Sequence, residues 1–479
     1  MKHEAVREAC PGGLPGRVRE ACPGGLPGRV RELGRQADRY DLATALRIVR
    51  RMETSAGRSA VFAEIKDKNR LYRLVDMIYS KAGATTVQPF LLFAYMLKCV
   101  LSVGPFKADG AQAVSISNFG NEQHSLDRLT ALVPEARFLR LSLKRSHLLG
   151  RGQLRAACRM LGSAPRIWPF LSRLARAHSF MPSARIASAL AFYIRFLEVF
   201  ADRPGLTAAL VASNYSPEAV GLATAAHRQG RRVIYTNHAA VPANAALVPP
   251  VLADCAIFYG EAVRRTYERR SRCTADVACI GQPWTSRPME WPTKLRTVGI
   301  FLTALTRTDV ATALVSAIRA THPGVRILIR NHPVALLQSD FSELEARDAN
   351  LEITIGNPLD DEIAACDLIV CGNSGVAMNA LSGGRPVAYL ADLDGLNFDY
   401  IGFVESGLLC PVEGWSDDIH ARLKAFYENP EWQNVMRSYD ASYGADAKSL
   451  EQAAAATMRR YLSSTPALVR GESPAQSRA

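Results

Sequence analysis

The sequence predicts an α/β protein built on two parallel sheets, and three observations carry that expectation. From residue 207 onward, short apolar runs alternate with helical stretches, the pattern that gives a parallel sheet with helices on both faces. Residues 283–295 (PWTSRPMEWPTKL), with three prolines and two tryptophans, interrupt the alternation, and a second series starts after them. The chain has 479 residues, 48% of them hydrophobic, which is too long for one ordinary domain and apolar enough for two cores.

Residues 1–29 contain a tandem repeat, VREACPGGLPGR at 6–17 and again at 18–29. Proline and glycine dominate it and two copies cannot stack into a solenoid, so it is expected to be disordered, with Cys10 and Cys22 serving no metal. Residues 30–111 read as a helical N-terminal extension. Leu42, Leu46, Ile48 and Val49 form one apolar stripe, and Leu71, Leu74, Val75 and Ile78 a second. The run Val87–Phe106 is strongly apolar, but Lys98 and Pro89 interrupt it. It reads as a buried helix rather than a membrane span, which needs about 20 clean apolar residues.

The first domain is expected over 112–282. AVSISNF at 113–119 is a strand, Asn118-Phe119-Gly120-Asn121 a turn, Ser125–Leu132 a helix and Arg137–Leu143 a second strand. A basic helical insertion follows at 146–200. Within 137–197 there are 12 Lys/Arg and no Asp/Glu, which suits a basic amphipathic surface lying on anionic lipid; solvated helices, or arginines facing a phosphorylated acceptor, are the alternative. Strands Ala208–Ser213, Val233–Thr236, Cys255–Tyr259 and Ala275–Ile280 then alternate with helices Glu218–Gln229 and 261–270. Ser216 and Pro217 are an N-cap and a first helical residue, and Gly230 ends that helix. After the 283–295 linker the second domain runs over 296–463. Its strands are Val298–Leu305, 326–330, Leu351–Ile355, 368–371 and 386–390; its helices are Asp309–Thr321, Phe341–Arg347, Asp360–Cys366 and Val376–Leu381. The tail, 464–479, is Ser/Pro/Ala-rich and flexible.

The net charge of +13 draws polyanions: nucleic acid, an anionic membrane face or phosphorylated substrates. No nucleic-acid-binding motif is readable, so nucleic acid is not an expected partner. The ten cysteines are irregularly spaced. Cys99, Cys255, Cys366 and Cys371 lie in apolar runs, and Cys273 and Cys279 match no zinc spacing. Reduced thiols and the lack of a signal-peptide core at the N-terminus point to a cytoplasmic chain. No cofactor and no metal site are expected.

Candidate site residues stand where strands end. Asn331-His332-Pro333 follows the run RILIR, and Gly372-Asn373-Ser374-Gly375 follows LIVC. In open α/β sheets, ligands sit at the carboxyl ends of strands. Ser374, Gly375 and Val376 can present free N–H groups where a helix begins, which suits a phosphate. His332 can donate to a phosphate oxygen or protonate a leaving group. Asn331 and Asn373 flank these two as phosphate-binding candidates. Asp360, Asp361 and Glu362 favour a helix dipole; Asp392 or Asp394 could reach a ribose or a sugar hydroxyl, or equally lie in a solvated loop. In the first domain His238 ends the strand VIYT, in the same topological place as His332. A base that takes a proton from an acceptor hydroxyl could be His238, Glu218 or Glu122.

Two Rossmann-like doubly wound domains facing across a cleft, a proline-rich hinge, an HP after a second-domain strand and a later serine turn resemble the GT-B glycosyltransferases. The likeness, over roughly 112–430, is to bacterial surface-polysaccharide enzymes with cytidine-linked donors: sialyl- and polysialyltransferases, Kdo transferases and teichoic-acid glycerophosphotransferases. It implies donor-phosphate contacts for His332, Ser374 and Gly375, a catalytic histidine at His238, and Glu218 nearest the acidic motif of the sialyltransferases. It also implies transfer without a metal and peripheral attachment to the inner membrane. The chain departs from the pattern in three ways. Ser374 stands alone before Gly375 rather than in a serine pair. Asn379 occupies the place of the donor-binding glutamate of many retaining enzymes. The acidic-acidic-Gly motif is absent, which argues against sialic acid.

The expected function is therefore inverting transfer of a sugar or polyol phosphate from a nucleotide-sugar donor, CMP- or CDP-linked, to a polysaccharide or lipid-linked saccharide acceptor of the bacterial surface. The alternatives are a nucleotide-sugar 2-epimerase and a non-catalytic assembly protein of the same fold. The basic stretch 137–197 favours the first over an epimerase.

Overall fold

In the computed structural model the described residues are 39–105, 110–143, 150–284, 286–333 and 338–463. The 1–29 repeat and the 464–479 tail lie outside them. The order begins with α1 (Leu42–Glu53), α2 (Ala56–Lys68), α3 (Arg70–Lys81) and α4 (Val87–Ser102). The first lobe continues with β1 (Gly104–Pro105), β2 (Ala113–Ser117), α5 (Gly120–Ala131), β3 (Phe138–Ser142), α6 (Arg151–Gly162), α7 (Ala164–Ala177), α8 (Phe180–Asp202), β4 (Ala208–Val211), α9 (Pro217–Arg228), β5 (Arg232–Thr236), β6 (Cys255–Phe258), α10 (Glu261–Arg270) and β7 (Asp276–Cys279). The second lobe holds β8 (Thr297–Phe301), α11 (Thr308–Thr321), β9 (Arg326–Arg330), α12 (Ser342–Arg347), β10 (Leu351–Thr354), α13 (Leu359–Ala365), β11 (Leu368–Cys371), α14 (Val376–Ser382), β12 (Val387–Leu390), β13 (Cys410–Val412), α15 (Ile419–Tyr427) and α16 (Pro430–Tyr439); α17 (Ala447–Ser463) ends the described chain.

The protein is α/β, with two doubly wound sheets. The first runs β1-β3-β2-β4-β5-β6-β7 and is parallel except for β1, which pairs antiparallel with β3. The second runs β10-β9-β8-β11-β12-β13 and is parallel throughout. Taken in chain order, its six strands have the 3-2-1-4-5-6 arrangement of the dinucleotide-binding fold, with the order reversing between β8 and β11. In the first sheet the reversal falls between β2 and β4. Both sheets are buried on two faces, so strands such as TVGIF and LIVC are continuously apolar rather than alternating.

Three helices, α6 to α8, fill the connection between β3 and β4, where one would suffice. The expected insertion is thus present, but it is not a free basic surface. Helix α8 is buried along most of its length and packs against α1, α4, α6 and α9. The arginines find carboxylates outside the acid-free window. Arg155 pairs with Glu198 and Asp202, and Arg159 with Glu198 at 2.9 Å. Arg185 reaches Glu53 at 2.6 Å, and Arg140 reaches Asp127. The basic surface expected over 137–197 is smaller than its composition suggests: Arg140, Arg155, Arg159 and Arg185 are paired within the protein, while Arg166, Arg173 and Arg176 stand exposed.

Several other expectations shift. The stripe residues Leu71, Leu74 and Ile78 of α3 face water. The apolar run from Val87 forms the helix α4 as far as Ser102, with Leu92, Met96 and Val100 fully buried; among the described residues no helix is long and apolar enough to cross a membrane. Helix α5 starts at Gly120, inside the expected turn. Strand β8 stops at Phe301, so residues 302–307 form a loop at the point where the strand order reverses. The stretch 283–295 is no loose linker. Arg287 N–H bonds Ser382 O at 2.8 Å, Glu290 N–H bonds Gly384 O at 2.9 Å, and Trp291 packs on His420 and Tyr427. Helix α17 leaves the second lobe to pack on the first sheet, where Ala454, Ala455, Met458 and Leu462 join the core of Leu210, Ile234 and Ile257.

Candidate active site

The two reversal points face each other across a cleft of about 870 Å³, within the usual size range for small-ligand sites. The loops after every strand from β8 to β12 contribute to its second-lobe wall. Residues 120–125, 237–241 and 282–284 supply the facing wall. The lobes meet at a seam below it: Ala243 N–H bonds Ile401 O at 3.1 Å and Asn244 N–H bonds Tyr400 O at 3.1 Å. Gly402, at φ +83°, lies so close to Ala243 that a Cβ would come within 2.7 Å of the alanine methyl.

The structure brings His238, Asn331, His332, Asn373, Ser374, Gly375 and Val376 to this one cleft, and leaves Glu218 off its lining. The residues differ in what they are free to do. Asn331 is buried and committed to its own loop. Its Oδ1 accepts the N–H groups of His332 and Ser339 at 3.0 Å each, and its Nδ2 donates to Ser339 O at 2.6 Å. Asn373 is likewise committed. Nδ2 donates to Asp394 Oδ2 at 3.0 Å and to Phe398 O at 2.8 Å, while Oδ1 accepts Tyr400 N–H at 2.7 Å. Both asparagines hold loops in position rather than offering donors to a ligand. Asp394, expected in a solvated loop or on a sugar, is buried and receives the Asn373 and Leu396 amides at 2.7 and 3.0 Å. It also explains Gly372: a Cβ there would lie 2.6 Å from Asp394 Oδ2.

Of the three amides expected free at 374–376, two are used inside the turn. Ser374 N–H donates to Gly372 O at 2.8 Å, and Val376 N–H to Ser374 Oγ at 3.3 Å. Gly375 is exposed to the cleft with nothing within 4 Å of its would-be Cβ. Gly375 and His332 line the same cleft, at the ends of β11 and β9, with β8 between those strands. Arg330, the cationic side chain among the lining residues, is tied to Glu362 and to Asn357 O at 3.0 Å. Glu362 is thereby a buried ion-pair partner as well as a residue of a helix start.

On the facing wall, His238 holds its Nδ1 against the carbonyl of Ala212. A carbonyl only accepts, so the neutral ring carries its proton on Nδ1 and keeps Nε2 as an acceptor. Glu218 begins α9 and is buried, with Oε1 unpartnered among the described residues. Burial raises its carboxyl pKa against the pull of Arg185, and the neighbouring Glu122 adds in the same upward sense. A carboxyl shut off from the cleft cannot take an acceptor's proton directly, so Glu218 is corrected to a buried group behind the wall. Glu122 is also set aside: its Oε2 accepts the N–H groups of Asn118 and Phe119 at 2.9 and 3.3 Å and closes the start of α5.

The sequence reading missed His124, exposed on α5 at the cleft, and the loop 302–305. It also missed two buried or half-buried polar atoms at the cleft without a partner among the described residues, Asn237 Oδ1 and Trp284 Nε1. The spacing of His124 from Gly120 was a readable signal, since both lie on the helix that follows the first strand. Trp284 was hidden by its place in an apparent linker. Among the described residues no group of three His, Cys, Asp or Glu side chains is placed to hold a metal.

No family model matches the chain, and no curated protein matches it. Solved structures do. The UDP-GlcNAc 2-epimerase of Neisseria meningitidis, bound to UDP-GlcNAc, is 11% identical over 73% of this chain and 99% of that one, with a TM-score of 0.44. CalG4, the calicheamicin glycosyltransferase, is 12% identical over 74% and 98%, also at 0.44. The glycosyltransferase of kitacinnamycin is 12% identical over 73% and 98%, at 0.42. Likenesses of this size say nothing about substrate, and the strand order itself defines the fold.

Proposed function

We propose that the chain is an inverting transferase that moves a sugar or polyol phosphate from a nucleotide-activated donor, CMP- or CDP-linked, to a hydroxyl of a surface polysaccharide or lipid-linked saccharide. The observation that carries this reading is the opposition of two features across one cleft. On one side is the 3-2-1-4-5-6 sheet with its loops at the order reversal, where nucleotides sit in such sheets. On the other is a histidine whose Nδ1–H is fixed on Ala212 O. In the proposed reaction the donor phosphate lies against His332 and the Gly375 amide, and His238 Nε2 accepts the proton of the attacking hydroxyl. The hydroxyl oxygen forms the new bond on the face opposite the leaving phosphate, whose negative charge grows as its bond breaks. An imidazole donor and a helix-start amide are suited to meet that charge.

The test is nucleotide release from CMP-, CDP- and UDP-sugars, with and without an acceptor saccharide. Release that depends on acceptor, and that falls at least about a hundredfold in His332→Ala, supports the assignment. Saturable nucleotide binding without turnover would make the chain a binding protein. Acceptor-independent epimerisation of the sugar would make it an epimerase.

A further inference from the structure

Helix α3 turns one face into the protein and the other to water, and the outer face is apolar. Asp76 and Tyr79 are buried on the inner side, where Tyr79 meets Phe180 of α8 edge-on at 5.4 Å. Outward stand Leu71, Leu74, Met77 and Ile78, with Leu71 69% exposed. Positions 71, 74 and 78 recur at the spacing of a single helical face, and 77 lies alongside. The surface runs on into the next helix. The Gln88 amide donates to Tyr79 O at 2.6 Å and to Ala82 O at 3.1 Å. Those bonds hold the start of α4 against the end of α3, and there Val87 is exposed and Phe90 is 60% exposed. Apolar exposure on this scale, on adjoining turns, is unlike the scattered single residues of an ordinary surface.

The charges around the stripe are mostly positive. From Arg70 to Phe106 the sequence has a single acidic residue, Asp76, and it is buried and paired with Lys66 Nζ at 2.6 Å. Arg70, Arg73, Lys81 and Lys98 are exposed. Trp168 of α7 donates its indole N–H to Thr85 O at 3.2 Å, at the edge of the same surface, and Arg166 and Arg173 of that helix are exposed. An apolar stripe flanked by four exposed cations, against the one exposed carboxylate of Asp67 at its start, matches an anionic bilayer, which offers acyl chains to the stripe and phosphates to the cations.

We propose that α3 and the first turn of α4 form a lipid-docking face that lies in the headgroup layer of an anionic membrane. Leu71, Leu74, Met77, Ile78 and Phe90 enter the acyl boundary, and Arg70, Lys81 and Lys98 meet the lipid phosphates. This face is distinct from the arginines of α6, whose charges Glu198 and Asp202 already hold. It lies one helix from the cleft: α2, which precedes α3, carries Val61 on the cleft lining, and its Lys68 donates to Gln338 O of the second lobe at 3.1 Å. A membrane-seated α3 therefore keeps the cleft close to the bilayer surface.

The experiment is flotation of the full chain with phosphatidylcholine vesicles, with and without phosphatidylglycerol. The wild type is expected to float with the anionic vesicles. Leu74→Glu/Ile78→Glu is expected to lose about tenfold or more of that binding, and Leu71→Ser/Phe90→Ser to lose it in the same direction. Arg155→Gln/Arg159→Gln is expected to float as the wild type does. Thermal melts of the stripe variants in lipid-free buffer, expected at the wild-type temperature because the positions are exposed, separate lost docking from lost folding. A wild type that ignores anionic vesicles, or stripe variants that float like it, would overturn the proposal. So would a lipid-free dimer that the stripe variants abolish, since that assigns the face to a second copy of the chain. Flotation does not involve the cleft, so its outcome is independent of the transferase reading.

Discussion

His238 shows how one backbone contact can decide what a side chain does. With Nδ1 on the Ala212 carbonyl, the second nitrogen is left to act as a base toward the cleft. His238→Ala is expected to lower kcat by about two to four orders of magnitude with little change in nucleotide affinity, read from steady-state kinetics beside equilibrium nucleotide binding. Glu218 sits close by in sequence position but differs in environment. Its carboxyl is raised above the ordinary value of 4.5, first by burial. A carboxyl raised on folding binds its proton more tightly in the folded state, so the stability it contributes is present below 4.5 and is lost as the pH rises toward the folded value. Glu218→Gln lacks that loss. Its melting temperature relative to wild type is expected to climb as the pH is raised from 4.5 toward neutrality, measured by melts across the series. A variant that falls further behind wild type at higher pH would mean that the ionised carboxylate is favoured. Neither residue's environment is visible in the string SNYSPEA or TNHAA, because Ala212 and Arg185 reach them through the fold.

At the scale of elements, most strands and helices of the second series as far as β12 were legible to within a residue or two, because each buried strand is a short apolar run bounded by polar turns, whereas β13, α15, α16 and α17 were not read. Leu368–Cys371 is one such case. The errors fall where an apolar pattern continues past the hydrogen-bonded ladder. Leu302 stays buried though β8 ends at Phe301, so apolarity alone extends the strand into a loop that lines the cleft. The α3 stripe shows a second limit: its periodicity is that of a helix, but period does not say whether water or protein meets the apolar face. Close packing of helices is equally invisible. Gly221 on α9 faces α8 so tightly that a Cβ would come within 2.8 Å of Phe192 Cβ and 3.1 Å of Tyr193 N. Because part of that contact is backbone, Gly221→Ala is expected to destabilise by about 1–3 kcal/mol, seen as a lower urea midpoint with an unchanged slope.

At the scale of the molecule, two clasps join the lobes. Asp440, fully buried, accepts Gln282 N–H at 2.9 Å and the hydroxyls of Ser286 and Ser382 at 3.0 and 3.2 Å, gathering the segment between the lobes, α14 and the end of α16 at one carboxylate. Beyond it α17 crosses to the first sheet. Truncation after Gly444 is expected to strip Met458 and Leu462 from that core, at about 3–6 kcal/mol for those two side chains. It should yield a chain that is less soluble and more readily proteolysed in the first lobe than in the second. Equal protection of both lobes after truncation would show that α17 contributes little to the first.

The sequence by itself determined the two-sheet architecture, the break between the lobes and the strand ends from which the cleft residues come, because alternation, proline content and strand-terminal polar residues are local properties of the chain. Tertiary structure decided which of those residues are spent and which remain open: Asn331 and Asn373 on their own loops, Glu218 behind the wall, Gly375 and His238 toward the cleft. It also decided that Arg140, Arg155, Arg159 and Arg185 are paired with carboxylates while the α3 stripe is bare. The reason is physical. A hydrogen bond or ion pair between residues far apart in sequence exists only once folding has brought its two partners together, and no local pattern encodes the partner's address.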